Sequence, residues 1–334
     1  MKKRGVKALL LICGILAITG GYEETSGWRD LGNGWSMWEG DLDYGINTEY
    51  EWVYWTTVYV VNRDDIWIAG YYEGETDGGC GSCISYYYYP YPCVAHWDGQ
   101  NWTAELLTDF RNVSAIKIFF VNENLGWLLL SDGTLMRYQG GSWATDTIFP
   151  YDEHVTALAF LSQDNGYAAG KWVYHYNGSS WSKVTEIPHY YKFFRNIDFS
   201  SPEDIWVVGD AGSVRWNGSE WIMLDSIRDC ESVAVVDTDD VWIGLCYAYS
   251  ILHWDGVAWD TFGIPVQSVD DIEVQSPGSI WCVGDGDLYY FDPGDSAWHK
   301  WNFGEAIYLY DLHFFDSTYG GAAGDPCILK YEKE

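Results

Sequence analysis

The chain has 334 residues and carries 49 acidic against 18 basic side chains, a formal charge of −31. A field of that sign repels nucleic acid and anionic membranes, so neither is an expected partner. It suits either a solvated surface in an extracellular or salty medium, or one that attracts cations or a basic partner.

The first predicted element is a leader. Lys2, Lys3, Arg4 and Lys7 precede an apolar run from Ala8 to Ile18, followed by small residues at Thr19 to Gly21. This is the layout of a signal peptide over residues 1–21, and the run is shorter than the roughly 20 residues a spanning helix needs. A lipid anchor on Cys13 is disfavoured, because the bulky Ile12 precedes it and the apolar run continues past it. Residues 22–334 are therefore expected to be exported to the periplasm, the cell surface or the medium, with no membrane span left. Loss of the leader removes four basic groups and no acid, which takes the charge to −35. Eight cysteines then become seven, which implies disulfides plus at least one free or intermolecular thiol.

Beyond the leader the chain repeats itself. A turn leading to Gly-x-x-Trp or a close variant recurs as HWDGQNW, RYQGGSW, HYNGSSW, RWNGSEW, HWDGVAW and YFDPGDSAW. Their final residues, Trp102, Trp143, Trp181, Trp221, Trp259 and Trp298, are spaced 38 to 41 residues apart, the period of a four-stranded propeller blade. Upstream in each unit lies a second signature, such as DDIWIAG, EDIWVVG and DDVWIGL, and it occurs seven times. Seven second strands against six Trp strands predict an all-β, seven-bladed propeller over 22–334 whose last blade is closed from the N-terminus. Thr25–Leu31 (TSGWRDL) is the expected closing strand, beside Ile328–Tyr331; closure would leave no sheet edge open between the chain ends.

Each unit opens with apolar residues in alternation. Counted back from the second-strand aromatic, positions −9 and −7 are apolar in every unit, from Val58 and Val60 to Leu312 and Phe314. The repeat tryptophans are read as packing between blades.

These units resemble the bacterial neuraminidase-repeat propellers, especially those of photosystem II assembly-factor type, over about residues 50 to 334. The stretches that carry the likeness are IFFVNENLGWLLLSDGTLMRYQGGSWATD and IDFSSPEDIWVVGDAGSVRWNGSEWIML. The Asp-box of that superfamily survives here mainly as its Gly-x-x-Trp end. The resemblance implies a fold and carries no catalytic residue across.

Blade one holds an insertion, residues 71–93, between its second and third strands. It contains Cys80, Cys83 and Cys93 and the run Tyr86, Tyr87, Tyr88 and Tyr89, with Tyr91 set between Pro90 and Pro92. A structural disulfide among the three cysteines is the favoured reading; a zinc site completed by His96 and redox chemistry are the alternatives. Against zinc, His96 sits in a column whose other members are Arg137, His175, Arg215, His253, Tyr290 and Lys330, so a basic residue there belongs to the blade. Cys230 and Cys246 are expected to form a second staple, and Cys282 and Cys327 to be buried thiols. A stapled Tyr86–Tyr91 ridge offers rigid contact area for a protein or sugar, or lies flat over neighbouring blades.

Positions −10 and −8 should face the channel. They are Thr57, Lys117, Ala157, Asn196, Ser232, Asp271 and Asp311, with Asp198, Glu273 and His313 below. Lys117, Asn196 and Asp198 are candidate ligand-binding groups. Asp271, Glu273, Asp311 and His313 are candidates for glycosidase chemistry, with a hydrated acidic funnel as the alternative. Sialidase chemistry is disfavoured because the mature chain has too few arginines for a carboxylate-binding cluster. No metal centre is expected, although Gly40–Glu51 alternates acids in a way that could hold calcium. The expected function is a secreted, monomeric, non-catalytic propeller that binds a protein through an acidic, tyrosine-rich face; carbohydrate binding and glycoside hydrolysis are the alternatives.

Overall fold

The computed structural model describes residues 26–39, 42, 52–80, 83–187, 193–276, 279–304, 307–325 and 327–333. Alternating strands with turns every few residues cannot bury their apolar face singly, and here they form seven antiparallel sheets, the blades of one propeller. Six have four strands in chain order, the first being 52–62, 65–80, 83–97 and 102–106. Among the described residues the one helical element is a short 3-10 turn, Tyr151–Glu153, and no helix is long and apolar enough to cross a membrane.

The seventh sheet has five strands. Its order, from outside in, is Gly27–Gly32, Trp35–Glu39, Ile328–Glu332, Tyr319–Asp325 and Tyr308–Asp316. The N-terminus closes the last blade as expected, but with a different strand. Trp35 pairs with Tyr331, the register that Trp102 holds with Trp97 and Trp221 with Trp216. The Trp28 strand lies one place further out, paired with Trp38. The sequence signal was present: Gly32-Asn33-Gly34-Trp35 fits Gly-x-x-Trp, and Trp28 does not.

The core consists of seven buried clusters among the described residues, one in each gap between neighbouring blades. The −9 residues supply each gap, as Ile118, Ile197, Ile272 and Leu312 illustrate, all at most 4% exposed. Where position −7 is Phe120, Phe160 or Phe314, the facing residue is Gly126, Gly166 or Gly320. A Cβ there would lie 2.3–2.5 Å from the ring.

The blade-one insertion is a regular β-ribbon. Tyr71 to Cys80 pairs with Cys83 to Pro92 in unbroken register, ending on Cys80 opposite Cys83. Ribbon growth separates Cys93 from that tip, because Cys93 stands opposite Gly70, wholly buried and free. A staple between Cys93 and the tip cysteines is therefore not formed; the side chains of Cys80, Cys83 and Tyr86 to Tyr88 lie outside the described residues. The expected Cys230–Cys246 staple is also absent, as both are free. Cys230 faces inward, with its Sγ 3.8 Å from the Ser213 hydroxyl, while Cys246 is half-exposed and interacts with Ser268 and Glu231. Cys282 and Cys327 are buried.

Candidate functional site

Every first strand has one edge without a ladder partner, because the neighbouring blade splays away from it around the axis. Unpaired backbone N–H groups there are costly unless side chains accept from them. The channel residues do this in a regular pattern. A −10 side chain accepts from the −9 N–H of the next blade: Thr57 Oγ1 from Ile118 at 3.2 Å, Asp271 from Leu312 at 3.1 Å and Asp311 from Val58 at 2.7 Å. A −8 side chain accepts from the −7 N–H: Asp198 from Val235 at 2.7 Å and His313 Nδ1 from Val60 at 3.1 Å.

Lys117 reaches past the first strand of blade one, from blade two to blade seven, where its Nζ lies 2.8 Å from Asp311 Oδ1. Burial works against both charges, yet the pairing holds Asp311 below the usual carboxylate range and Lys117 above its ordinary value. Burial pushes the neighbouring Asp271 well up, with the Asp311 charge adding to it against the pull of Lys117. Glu273 is raised by burial and by Asp271 and Asp198. Asp198 is pushed by burial to about 7, and burial with the nearby Lys117 lowers His313 to about 4. His313 is thus a neutral ring, its Nδ1 accepting from backbone and its face stacked on Tyr59 at 4.0 Å.

The predicted candidates Lys117, Asn196, Asp198, Asp271, Glu273, Asp311 and His313 all line one axial cavity of about 610 Å³. Asn196 accepts from the N–H of Ile197 on its own strand at 2.7 Å. Tyr89 and Tyr91 of the ribbon do not line this cavity. Tyr89 and Tyr91 are half-buried at the ribbon base, where Arg111 lies 4.2 Å over the Tyr89 ring and Pro90 O accepts from Asn112 and Val113.

Sequence reasoning missed the rim. First strands of blades one, two, four, five and seven carry a bulge between positions −12 and −10, so the extra residue at −11 joins −10 on the channel wall. This brings Thr56, Ile116, Arg195, Glu231 and Tyr310 to the mouth, with Thr156 and Asp270 at the matching place in blades three and six. Arg195 is engaged by both oxygens of Asp210, at 2.8 and 3.0 Å. Burial, then Asp285 and Glu231, pushes Asp270 up to about 6.

The loops around this mouth are aromatic. They are the connections between second and third strands and between blades, and they carry Tyr151 (69% exposed), Tyr247 (76%), Tyr249 (57%) and Tyr308 (48%). Tyr247, Tyr249 and the exposed His154 have φ of 57°, 52° and 45°, a left-handed conformation that bulky side chains rarely adopt. His154 also bridges the rings of Tyr151 and Phe193, at 5.6 and 5.7 Å. On blades one and seven, Tyr54 stacks on Tyr71 at 4.8 Å and Tyr308 meets Tyr310 at 5.2 Å. The ribbon rises from this same face. No positional signal marked Tyr151, Tyr247 and Tyr249, because they lie in connections outside the repeat, while Tyr308 opens the first strand of blade seven.

The zinc alternative for the cysteine ribbon does not fit the geometry of blade one. Cys93 and His96 are three residues apart on one strand and so lie on opposite faces. His96 stacks on Trp67 at 4.0 Å and its Nε2 is 2.8 Å from Asp65. Arg215 with Asp204 and His253 with Asp240 repeat that arrangement.

One pH effect follows from the channel. Asp198 and Asp270 keep their protons in the fold well above the pH at which an unfolded aspartate, near 3.9, has lost its own, so they favour the fold at low pH and this is lost as pH rises through about 6 and 7. His313 acts in the opposite sense, but only between its unfolded value near 6.5 and about 4. Above about pH 6.5 the opposing contribution of His313 fades as its unfolded ring loses the last of its proton, so the melting temperature should fall with rising pH towards 8, and less so in Asp198→Asn. A flat wild-type profile over that window would contradict these assignments.

No family model and no curated protein sequence matches the chain. Solved structures do. YCF48 bound to D1 peptide is 16% identical with a TM-score of 0.64, covering 93% of this chain and all of that one. YCF48 from Cyanidioschyzon merolae is 14% identical with a TM-score of 0.62, covering 90% and 99%. Virginiamycin B lyase from Staphylococcus aureus is 11% identical with a TM-score of 0.64, covering 84% and 95%. At such identities the likeness is one of fold, and the similarity to photosystem II assembly-factor propellers expected from the repeats is found. By the order of its sheets and by these likenesses, the chain is a seven-bladed, all-β propeller.

Proposed function

We propose that this chain is an exported, non-catalytic propeller that docks a protein on the aromatic face around its channel mouth. The observation that carries the reading is the rim itself. Exposed tyrosines on blades three, five and seven surround one opening, and two of them, with His154 beside the third, are held in costly left-handed conformations. Strain of that kind, about 1–3 kcal/mol per residue, persists where the surroundings enforce it and concentrates at functional positions. Tyrosine supplies wide contact with little side-chain entropy to lose, which suits a docking rim. The charge of −31 favours a basic partner. YCF48, a propeller of similar shape, has been solved with a peptide bound. The non-catalytic part of the reading draws on the channel, where Asp311, Asp271, Asp198 and His313 are engaged in holding neighbouring strands. Its place of action would be the periplasm, the cell surface or the medium.

The experiment is a peptide-library selection against the folded protein. Selected peptides should bind at least ten-fold more weakly to a Tyr247→Ser, Tyr249→Ser, Tyr308→Ser variant, and equally well when the exposed Val257 on the opposite face becomes serine. Equal loss in both variants would overturn the assignment of the face. A second reading, carbohydrate binding, is favoured by a cleft of about 240 Å³ between the outer strands of blades one and two. There Tyr138 and Trp143 stand beside Thr103 and Glu105, a stacking surface next to polar groups. Glycan-array binding removed by Trp143→Ala would select this reading.

A further inference from the structure

The axial cavity is divided. Blades four to seven line it with Asp198, Glu231, Asp270, Asp271, Glu273 and Asp311, whereas Thr56, Phe119, Thr156, Ala157 and Ala159 from blades one to three present uncharged surface. Its two cations are both engaged, Lys117 by Asp311 and Arg195 by Asp210. None of Asp198, Glu231, Asp270 and Glu273 has an ion-pair partner among the described residues.

Glu273 differs from the other channel groups in a second respect. As the −8 residue of blade six it stands where Asp198 and His313 cap the next strand, yet it caps nothing. The neighbouring strand is held instead by Gln275, whose Nε2 donates to Phe314 O at 3.2 Å and reaches Glu273 Oε2 at 3.3 Å. Glu273 is thus a carboxyl inside the cavity that caps no backbone N–H and accepts only from the Gln275 side chain among the described residues. An uncharged wall opposite a spare carboxyl matches an alkyl stem that ends in a cation.

We propose that the channel receives the cationic head of a lysine or arginine side chain from the docking partner, with Glu273 as its principal acceptor and the alanines of blade three beside its methylene stem. The inference rests on the reading that a protein docks over the mouth, and goes beyond it by naming the group that enters. Burial, with the nearby Asp271 and Asp198, raises Glu273 above its ordinary value. An ammonium or guanidinium group entering beside it stays charged and favours the ionised carboxylate, so the proton that Glu273 holds passes to solvent.

Isothermal titration with n-butylammonium and n-butylguanidinium chloride, at pH 6.5 in two buffers of different ionisation enthalpy, tests this against matched sodium chloride. The expected result is saturable one-site binding with proton release. Binding should be at least ten-fold weaker in Glu273→Gln, which loses no backbone contact. In Glu273→Lys, which installs an amine in the cavity, binding should be lost and the melting temperature raised. Heats no greater than those of sodium chloride, or unchanged affinity in Glu273→Gln, would overturn the proposal. Rim-dependent peptide binding with inert probes would remove only this inference. Probe binding without peptide binding would remove only the docking reading.

Discussion

Deletion of residues 26–39 is expected to abolish the cooperative unfolding of the propeller and to make the chain self-associate. These residues form the two outer strands of the seventh blade, and without them Ile328–Glu332 becomes an open edge. Such an edge pairs readily with other chains. The segment also packs on both sides. Trp35, fully buried, meets Tyr331 at 5.1 Å and Trp281 and Phe303 at 5.9 Å, while Trp28 and Trp38 turn the other way onto Trp97 of blade one, at 5.7 and 5.5 Å. Strand alternation produces this, since Trp35 and Trp38 are an odd number of residues apart. The milder Trp35→Ala should cost about 3–5 kcal/mol, the range for a buried tryptophan. Urea unfolding followed with light scattering reads both variants; full stability in the deletion would show that the ring does not depend on this clasp.

Asp311→Ala should be the most damaging single change in the channel. It removes the acceptor of the Val58 N–H, which joins blade seven to blade one, and takes from Lys117 its ion-pair partner, leaving only the field of Asp271 and Glu273. Breaking a buried pair by removing one partner costs about 3–5 kcal/mol. Asp311→Asn keeps an acceptor for Val58 but still strands the lysine, so it should fall between wild type and alanine. Adding Lys117→Met to Asp311→Asn should recover part of the loss, because the stranded charge is gone. Denaturant midpoints for wild type, Asp311→Asn, Lys117→Met and the double variant measure the coupling, and strict additivity would show that the two side chains do not pair.

Much of this architecture was legible because it repeats. Period two in the first strands placed Ile118, Ile197 and Leu312 between blades, and the Gly-x-x-Trp register fixed the outer strands. The same counting brought Lys117, Asp271, Glu273 and Asp311 to one channel. It could not reveal what they do there, since a carboxylate that caps a neighbouring N–H looks the same in sequence as one poised for acid catalysis. Bulges were equally hidden: one extra residue per inner strand moved Arg195, Glu231 and Tyr310 onto the channel wall without disturbing the pattern around them. The closing strand was misassigned by one hairpin, because Trp28 satisfied a looser pattern than Trp35. Cys230 and Cys246 lie at neighbouring strand ends as expected, but the bulge between Cys230 and Ser232 accompanies an inward-facing Cys230 thiol.

The most direct test of the docking face is hydrogen–deuterium exchange of the whole protein with and without a peptide selected from a library. Slowed exchange confined to residues around 149–156, 246–250 and 307–311 and to the ribbon is the predicted result. Protection of the opposite face instead, in the turns near Asp98, Asn217 and Asp255, would contradict the account.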